Sequence, residues 1–483
     1  MFRTLKSNSP FSAPHDDAAR ASCGNGAKAK SYQLQRLYRS ARSALVALAA
    51  ICCPVSLLFA QEKNDRPPFT LSIKPDRSNA LYRVGENITF TLTLLDAQGS
   101  PVPDKKVPLI IYRETHLERA NWVSTAEPGK LVVSMNRPGF VLVGTGTRRQ
   151  ELEPGNWVDA DWGGAGIEPE RIRPGTPAPG DFDAFWQAQK ARLTCIPMNP
   201  RLEPVASLDS RDAGKVETFD VKLDCVDGVP VSGYYSRPKG AALMSRAAVL
   251  YVHEAGVRSA RRMDERAREL GILAMDINAH GIPNGRPAEF YKYLETHESA
   301  DYRSRGRENR ETCYFNGMFM RVLRALEFLK AQPEWDGKNL LIWGGSQGGG
   351  QGLAGAALDP QVTAIWVSVP AMCNHLASRN GDWAGWPNWI LVGNGPETSK
   401  EFAATAPYYD MCNFAPRIKA RVCTLVGFLD MAARPSSVFA MYNCLKSPKR
   451  IICAVDGGHG ATPVSYLDLK ADFSNYLEQL TNR

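Results

Sequence analysis

The residue best suited to covalent chemistry in this chain is Ser346, which stands in the run Gly344-Gly345-Ser346-Gln347-Gly348. The run fits the pattern G-x-S-x-G, in which the serine occupies a strained turn between a strand and a helix. An apolar segment, "NLLIW", precedes it, and a segment rich in small residues, "GGGQGLAGAAL", follows from Gly348. A phosphate-binding loop would instead need Gly-Lys-Ser or Gly-Lys-Thr. We interpret Ser346 as a nucleophile.

A serine nucleophile needs a base, and the base needs a carboxylate that orients it. In folds with this turn, the chain order is Ser, then Asp or Glu, then His. His459 follows the apolar run "RIICAV", and Asp430 ends the earlier apolar run "VCTLVGFLD". Because parallel strands deliver their ends to one edge of a sheet, the sequence predicts the triad Ser346, Asp430 and His459. Two other carboxylates are alternatives for the acid: Asp410 and Asp456.

The tetrahedral intermediate of acyl transfer needs two hydrogen-bond donors for its oxyanion. One expected donor is the backbone N–H of Gln347, next to the nucleophile. The second is expected in the loop after "AAVLYVH", at the N–H of Ala255, with Glu254 as the alternative. His253 and His280 precede both the acid and the serine in the chain, so we interpret them as structural.

Sugar substrates stack on aromatic rings, and the segment "GDWAGWPNW" carries three tryptophans at intervals of three residues. We treat Trp383 and Trp386 as candidates for substrate contact. The alternative is that these rings pack against the edge of the sheet.

These side chains require a scaffold, and residues 181–483 predict an α/β fold. Near-continuous apolar strands such as "AAVLYVH" and "VTAIWVSVP" alternate with helical segments, which indicates a mostly parallel sheet with helices on both faces. Short strands rich in β-branched residues fill 61–150 and predict a small all-β sandwich of immunoglobulin-like type. The Pro- and Gly-rich range 151–180 reads as a linker.

Charge and cysteine spacing exclude some functions. Most of the formal charge of +8 lies in residues 1–60, so the remainder is nearly neutral and has no basic-aromatic array for nucleic acid. No Cys-x-x-Cys motif or Cys/His cluster indicates a zinc site, and we expect no metal or cofactor.

Residues 1–60 predict an export signal. Arg36, Arg39 and Arg42 precede the apolar stretch "SALVALAAICCPVSLLFA", which ends at Ala60. We therefore expect a periplasmic or extracellular protein, with a signal peptide removed near residue 60. An uncleaved N-terminal membrane anchor is the alternative, because the stretch is about as long as a short membrane span.

The segment "RVLRALEFLKAQPEWDGKNLLIWGGSQGGGQGLAGAALDPQV" resembles the nucleophile region of the acetyl xylan esterase / cephalosporin C deacetylase family, carbohydrate esterase family seven. "PGDFDAFWQ" resembles the start of that family's catalytic domain. "FLDMAARPSSVFAMYNCLKSPKRI" resembles the segment around its triad aspartate, here Asp430, and His459 follows where its triad histidine stands. The resemblance implies an α/β-hydrolase that removes acetyl groups from acetylated sugars without a metal.

Two departures mark this chain as a divergent branch of that family. Asp276 is followed by Ile-Asn-Ala-His, where the family usually has an Arg-Gly-Gln motif. His253-Glu254-Ala255 stands where the family often has His-Gly-Tyr. The sandwich is also an addition. Compact family members form closed hexamers, which makes a homo-oligomer one expectation for this chain.

The leading hypothesis is therefore an exported serine esterase that deacetylates a sugar or polysaccharide through an acyl-enzyme. One alternative is a serine peptidase of prolyl-oligopeptidase type, although about 90 sandwich residues are too few for the propeller that such enzymes carry. The other alternative is a non-catalytic carbohydrate-binding or adhesion protein.

Overall fold

The computed structural model describes residues 68–481, apart from 147–148, 154–155, 210 and 390–399. The expected signal peptide or anchor in residues 1–60 lies outside the described residues. Within the described part of the chain, no helix has the length and apolarity to cross a membrane.

The first part of the described chain consists of strands. They are β1 (Phe69–Pro75), β2 (Leu81–Tyr82), β3 (Ile88–Asp96), β4 (Lys106–Arg113), β5 (His116–Val123), β6 (Gly129–Val133), β7 (Gly139–Gly144), β8 (Arg149–Glu153), β9 (Asn156–Ala160) and β10 (Gly163–Ile167). They form two five-stranded sheets, in the orders β6-β3-β1-β9-β8 and β2-β10-β7-β4-β5. Side chains from both sheets, such as Leu92 and Val143, share one buried core. This arrangement is a β-sandwich.

Strands β9 and β10 lie inside the range 151–180 that the sequence assigns to a linker. Strand β10 was not predicted, because "GGAGI" is mostly glycine, which has a low strand propensity. Residues 66–483 form one compact unit. The division into a sandwich, a linker and a catalytic domain therefore stays a prediction.

The rest of the described chain builds a nine-stranded sheet in the order β11-β12-β13-β15-β14-β16-β17-β18-β19. Its strands are β11 (Arg201–Val205), β12 (Val216–Leu223), β13 (Val231–Pro238), β14 (Arg246–Val252), β15 (Leu273–Ile277), β16 (Trp335–Gly345), β17 (Val362–Ser368), β18 (Arg421–Gly427) and β19 (Lys449–Ala454). The α-helices are α1 (Phe182–Thr194), α2 (Asp264–Leu270), α3 (Ala288–Thr296), α4 (Tyr314–Lys330), α5 (Gln347–Leu358), α6 (Lys400–Thr405), α7 (Met411–Phe414), α8 (Pro435–Cys444) and α9 (Pro463–Thr481).

Helices cover both faces of this sheet, as the apolar strands predict. Within β16, Ile342 packs into the core that contains Leu353 of α5. Its neighbour Leu341 packs into the opposite core, with Phe473 of α9. The strands from β15 to β19 pair in parallel, so their carboxyl ends meet at one edge. The predicted fold class, an α/β-hydrolase domain preceded by an all-β sandwich, is confirmed.

Candidate active site

Ser346 occupies the turn between β16 and α5 in a strained conformation, with φ of 50° and ψ of −119°. Two flanking glycines allow this turn. A Cβ on Gly344 would lie 2.4 Å from the carbonyl oxygen of Gly348, and a Cβ on Gly348 would lie 2.0 Å from the carbonyl oxygen of Val252. At Gly345 a Cβ would meet nothing within 4 Å. The glycines therefore let the turn pack closely against the end of β14 while one side of Ser346 stays open.

Ser346, His459 and Asp430 form a continuous hydrogen-bonded line across the strand ends. Nε2 of His459 lies 2.9 Å from Oγ of Ser346, and Nδ1 of His459 lies 2.8 Å from Oδ2 of Asp430. The other oxygen of Asp430 accepts the N–H groups of Ala432 and Ala433, at 2.8 and 2.9 Å. These N–H groups satisfy a carboxylate that has no exposed surface.

The alternative acid Asp410 has other partners. Its carboxylate accepts the backbone N–H groups of Asn374 and His375, at 2.8 and 2.7 Å, and that of Cys412 at the start of α7. Of the acids considered from the sequence, the structure brings Asp430 to His459.

His459 differs electrostatically from two other buried histidines. The hydrogen bond to Asp430 raises its pKa, against an opposing effect of burial, and the charges of Asp430 and Glu254 add to the rise. Burial instead lowers the pKa of His253 to about 4 and that of His280 to about 3. His459 is therefore the ring whose surroundings favour accepting a proton near neutral pH.

Both predicted oxyanion donors lie next to residues of this site. Gln347 is the first residue of α5, so its N–H is one of the first-turn amides that have no acceptor within the helix. Its side chain is buried, and Oε1 accepts the hydroxyl of Tyr302 at 3.0 Å. Ala255 follows Glu254, which lines the cavity beside Ser346.

A cavity of about 520 Å³ opens beside Ser346 and His459. It carries aromatic and charged side chains: Tyr251, Trp343, Tyr466 and Phe473, and Glu254, Arg261, Arg266, Asp276 and Lys470. The hydroxyl of Tyr251 is buried without a hydrogen-bond partner among the described residues. Burial raises the pKa of Asp276 to about 7, partly offset by the N–H of Arg261. The cavity thus offers both aromatic and hydrogen-bonding groups to a ligand.

Sequence reasoning missed the residues that helix α9 contributes to this cavity. Tyr466, Lys470 and Phe473 recur at helical spacing on α9 and line one side. That spacing was a usable signal, but it also fits a helix face packed on the sheet, which is the commoner reason for such a pattern.

The two tryptophans expected at the substrate do not line this cavity among the described residues. Nε1 of Trp383 donates to the carbonyl oxygen of Glu114 in the sandwich, and the indole meets the ring of Tyr112 edge-on. The backbone N–H of Trp386 donates to the carbonyl oxygen of Ala432, and the centroid of its ring lies 6.1 Å from that of Phe315. Trp383 thus packs against the sandwich, where its indole N–H finds a fixed acceptor, and a substrate contact by either tryptophan stays a prediction.

Comparisons with known proteins relate this chain to acetyl xylan esterases. The family model described as acetyl xylan esterase matches residues 168–477. Acetyl esterase Axe7A of Xylanibacter ruminicola is 27% identical over 406 residues, which cover 80% of this chain and 86% of the relative.

Two solved structures are similar in fold to this chain over about two thirds of its length. An acetyl xylan esterase from Paenibacillus sp. R4 aligns with a TM-score of 0.55 and 25% identity, covering 64% of this chain and 98% of that one. Acetyl xylan esterase 1 from Thermoanaerobacterium sp. JW/SL YS485 aligns with a TM-score of 0.53 and 23% identity, over the same shares of the two chains.

Proposed function

This chain belongs to the acetyl xylan esterase family, and we propose that it is an exported serine esterase that removes acetyl groups from acetylated carbohydrates. The observation that carries the proposal is the line from Asp430 through His459 to Ser346, with hydrogen bonds of 2.8 and 2.9 Å, beside an open cavity. A nucleophile, a base and an orienting carboxylate in that order are the groups that acyl transfer needs.

In the proposed reaction, Oγ of Ser346 attacks the acetyl carbonyl carbon while Nε2 of His459 takes the hydroxyl proton. The tetrahedral intermediate collapses, the bond to the sugar oxygen breaks, and His459 returns the proton to that oxygen. Water, deprotonated by His459, then attacks the acetyl carbon on Ser346, the bond to Oγ breaks and acetate leaves, and His459 returns the proton to Oγ of Ser346. Asp430 holds the Nδ1–H tautomer and stabilises the imidazolium.

We assign the oxyanion contacts to the backbone N–H groups of Gln347 and Ala255. The position of Gln347 at the start of α5 supports the first assignment, because the helix supplies no acceptor for that N–H. The loop position of Ala255, directly after the cavity residue Glu254, supports the second.

Substitution of Ser346 tests the proposal. Ser346→Ala should abolish hydrolysis of p-nitrophenyl acetate and of acetylated xylan, and should abolish labelling by a fluorophosphonate. Ser368→Ala is the matched control, because Ser368 lines the same cavity but its substitution leaves the nucleophile in place, so labelling should persist. Turnover or labelling that survives in Ser346→Ala would reject the assignment.

The substrate class is tested with a panel of hydrolysis substrates. Acetylated xylo-oligosaccharides, longer acyl esters, feruloyl esters and proline-containing peptides should separate an acetyl esterase from the alternatives. Preference for the acetyl sugars supports the proposal. Preference for the peptides would favour a peptidase, and tight glycan binding with no hydrolysis would favour a binding protein.

Export is part of the proposal and rests on the pattern of residues 1–60. The mature N-terminus, measured by mass spectrometry on protein from the native host, should lie near residue 60. An intact N-terminus in a membrane fraction would instead indicate an anchor.

A further inference from the structure

One sheet of the sandwich is covered on both faces at its strands β7 and β10. In β3 of the other sheet, buried and partly exposed residues alternate, as expected when one face meets water. In β7 all six residues are buried. Val141 and Val143 face the core of the sandwich, whereas Phe140 packs into the main core of the catalytic part. The outer face of β7 is therefore an interface.

This interface reaches the two residues that directly precede Asp430. The ring of Phe140 meets the ring of Phe428 edge-on, with centroids 5.1 Å apart. A Cβ on Gly164 of β10 would lie 2.8 Å from Cδ2 of Leu429 and 3.3 Å from the carbonyl oxygen of Phe428. The glycine thus lets the backbone of the sandwich approach the end of the loop that carries Asp430.

Glu114, in the turn between β4 and β5, holds the other end of that loop. Glu114 is only 3% exposed, and its carboxylate accepts the backbone N–H of Phe140 at 2.7 Å. The carboxylate also accepts a hydrogen bond from the hydroxyl of Ser436 at 2.9 Å and one from the backbone N–H of Trp383 at 3.3 Å. Ser436 lies in the first turn of α8, six residues after Asp430.

We propose that the sandwich positions Asp430 for catalysis, with Phe140 and Glu114 as its positioning residues. This inference rests on the proposed role of Asp430. The carboxylate of Asp430 is held locally by the N–H groups of Ala432 and Ala433, which belong to the loop itself. The location of the loop depends on its two ends, at Phe428 and Ser436, and the sandwich contacts both.

Misplacement of a catalytic group by about 1 Å can slow a reaction by about a hundredfold. Loss of the sandwich contacts should therefore lower kcat by about ten- to a hundredfold, with KM changed by less than about twofold, because the groups that line the cavity are untouched. The acid limb of the pH–rate profile should also move to lower pH, because His459 would lose part of the Asp430 hydrogen bond that favours its protonation.

Two matched substitutions in the sandwich test this idea. Phe140→Leu removes the contact with Phe428, whereas Phe90→Leu makes the same change at a residue of the sandwich core alone. Both variants should unfold at lower temperature. Measured well below that temperature, only Phe140→Leu should lose kcat and shift the acid limb. Equal loss of kcat in both variants, or in neither, would overturn the proposal.

Glu114 provides a second test in case Phe140→Leu does not fold. Glu114→Ala should lower kcat, and Glu114→Gln should restore most of it, because an amide oxygen can still accept from Ser436. Unchanged kcat in Glu114→Ala would also overturn the proposal. Failure of the esterase assignment is distinguishable, since it would appear as residual turnover in Ser346→Ala.

Discussion

Two buried carboxylates, Asp430 at the sheet edge and Glu114 at the sandwich interface, show how similar groups serve different ends. Both accept backbone N–H groups, which compensates for lost hydration. Asp430 also meets His459, which reaches Ser346 beside the cavity. Glu114 meets fixed groups, among them Ser436. Hydrogen-bonded groups that end at an open cavity indicate a catalytic role. Hydrogen-bonded groups that end in packed protein indicate a structural contact between two parts of the molecule.

The largest contrast should come from removing each negative charge. Asp430→Asn should lower kcat by about ten-thousandfold, because the amide favours the wrong tautomer of His459. Glu114→Gln should change kcat by only a few-fold, because an oxygen acceptor remains. Both variants are compared on p-nitrophenyl acetate, with circular dichroism as the check on folding. Similar losses in both would erase the distinction between the two sites.

The turn at Ser346 offers a pair of glycine substitutions on either side of one residue. Gly348→Ala forces a Cβ to within 2.0 Å of the Val252 carbonyl oxygen, so the turn must move. We expect a loss of stability of about 1–3 kcal/mol and a clear loss of turnover. Gly345→Ala enters open space and should leave the unfolding temperature nearly unchanged. Thermal unfolding of the two variants, side by side, checks the expectation.

The pH–rate profile should report the raised pKa of His459. Because the neutral ring is the base, kcat/KM should fall as the pH drops through a midpoint above the ordinary histidine value of about 6.5. Glu254→Gln removes one contributing charge and should lower that midpoint slightly, since exposed charges are screened. A midpoint that rises in this variant would contradict the electrostatic argument.

The smallest effect on turnover, but a distinct one on stability, should come from the titration of Glu114. Burial and the nearby charge of Asp382 raise its pKa to about 7 in the folded protein. Its ordinary value is lower, so the folded state holds the proton more tightly and stability falls as pH rises from about 4.5 to about 7. Burial raises the pKa of Asp382 too, although this carboxylate is paired with Arg137. The guanidinium of Arg434 also lies near Glu114.

Glu114→Gln removes this titration. The unfolding temperature of the variant should therefore fall less than that of the original protein between pH 4 and pH 8, values that bracket the titration range. An identical pH dependence in both proteins would show that Glu114 does not titrate in this range.

Much of the fold and the line of three side chains was predictable from the sequence. Ser346 stood out because its turn depends on adjacent glycines. His459 and Asp430 followed from strand ends, since parallel strands share an edge. Their roles in catalysis stay predictions that the substitutions test. The role of Trp383 was less predictable, because an aromatic residue serves equally well in stacking on a ligand and in packing on another strand.

The sequence by itself determined what depends on neighbours along the chain, namely the turn at Ser346, the alternation of strands and helices, and the order of the reactive residues. Only the tertiary structure decided between Asp430 and the alternative acids, which side chains line the cavity, and what the sandwich contacts. Ser436 and Glu114 lie 322 positions apart in the chain. Their contact depends on the outer faces of folded sheets, and a local pattern carries no information about which surface will cover such a face.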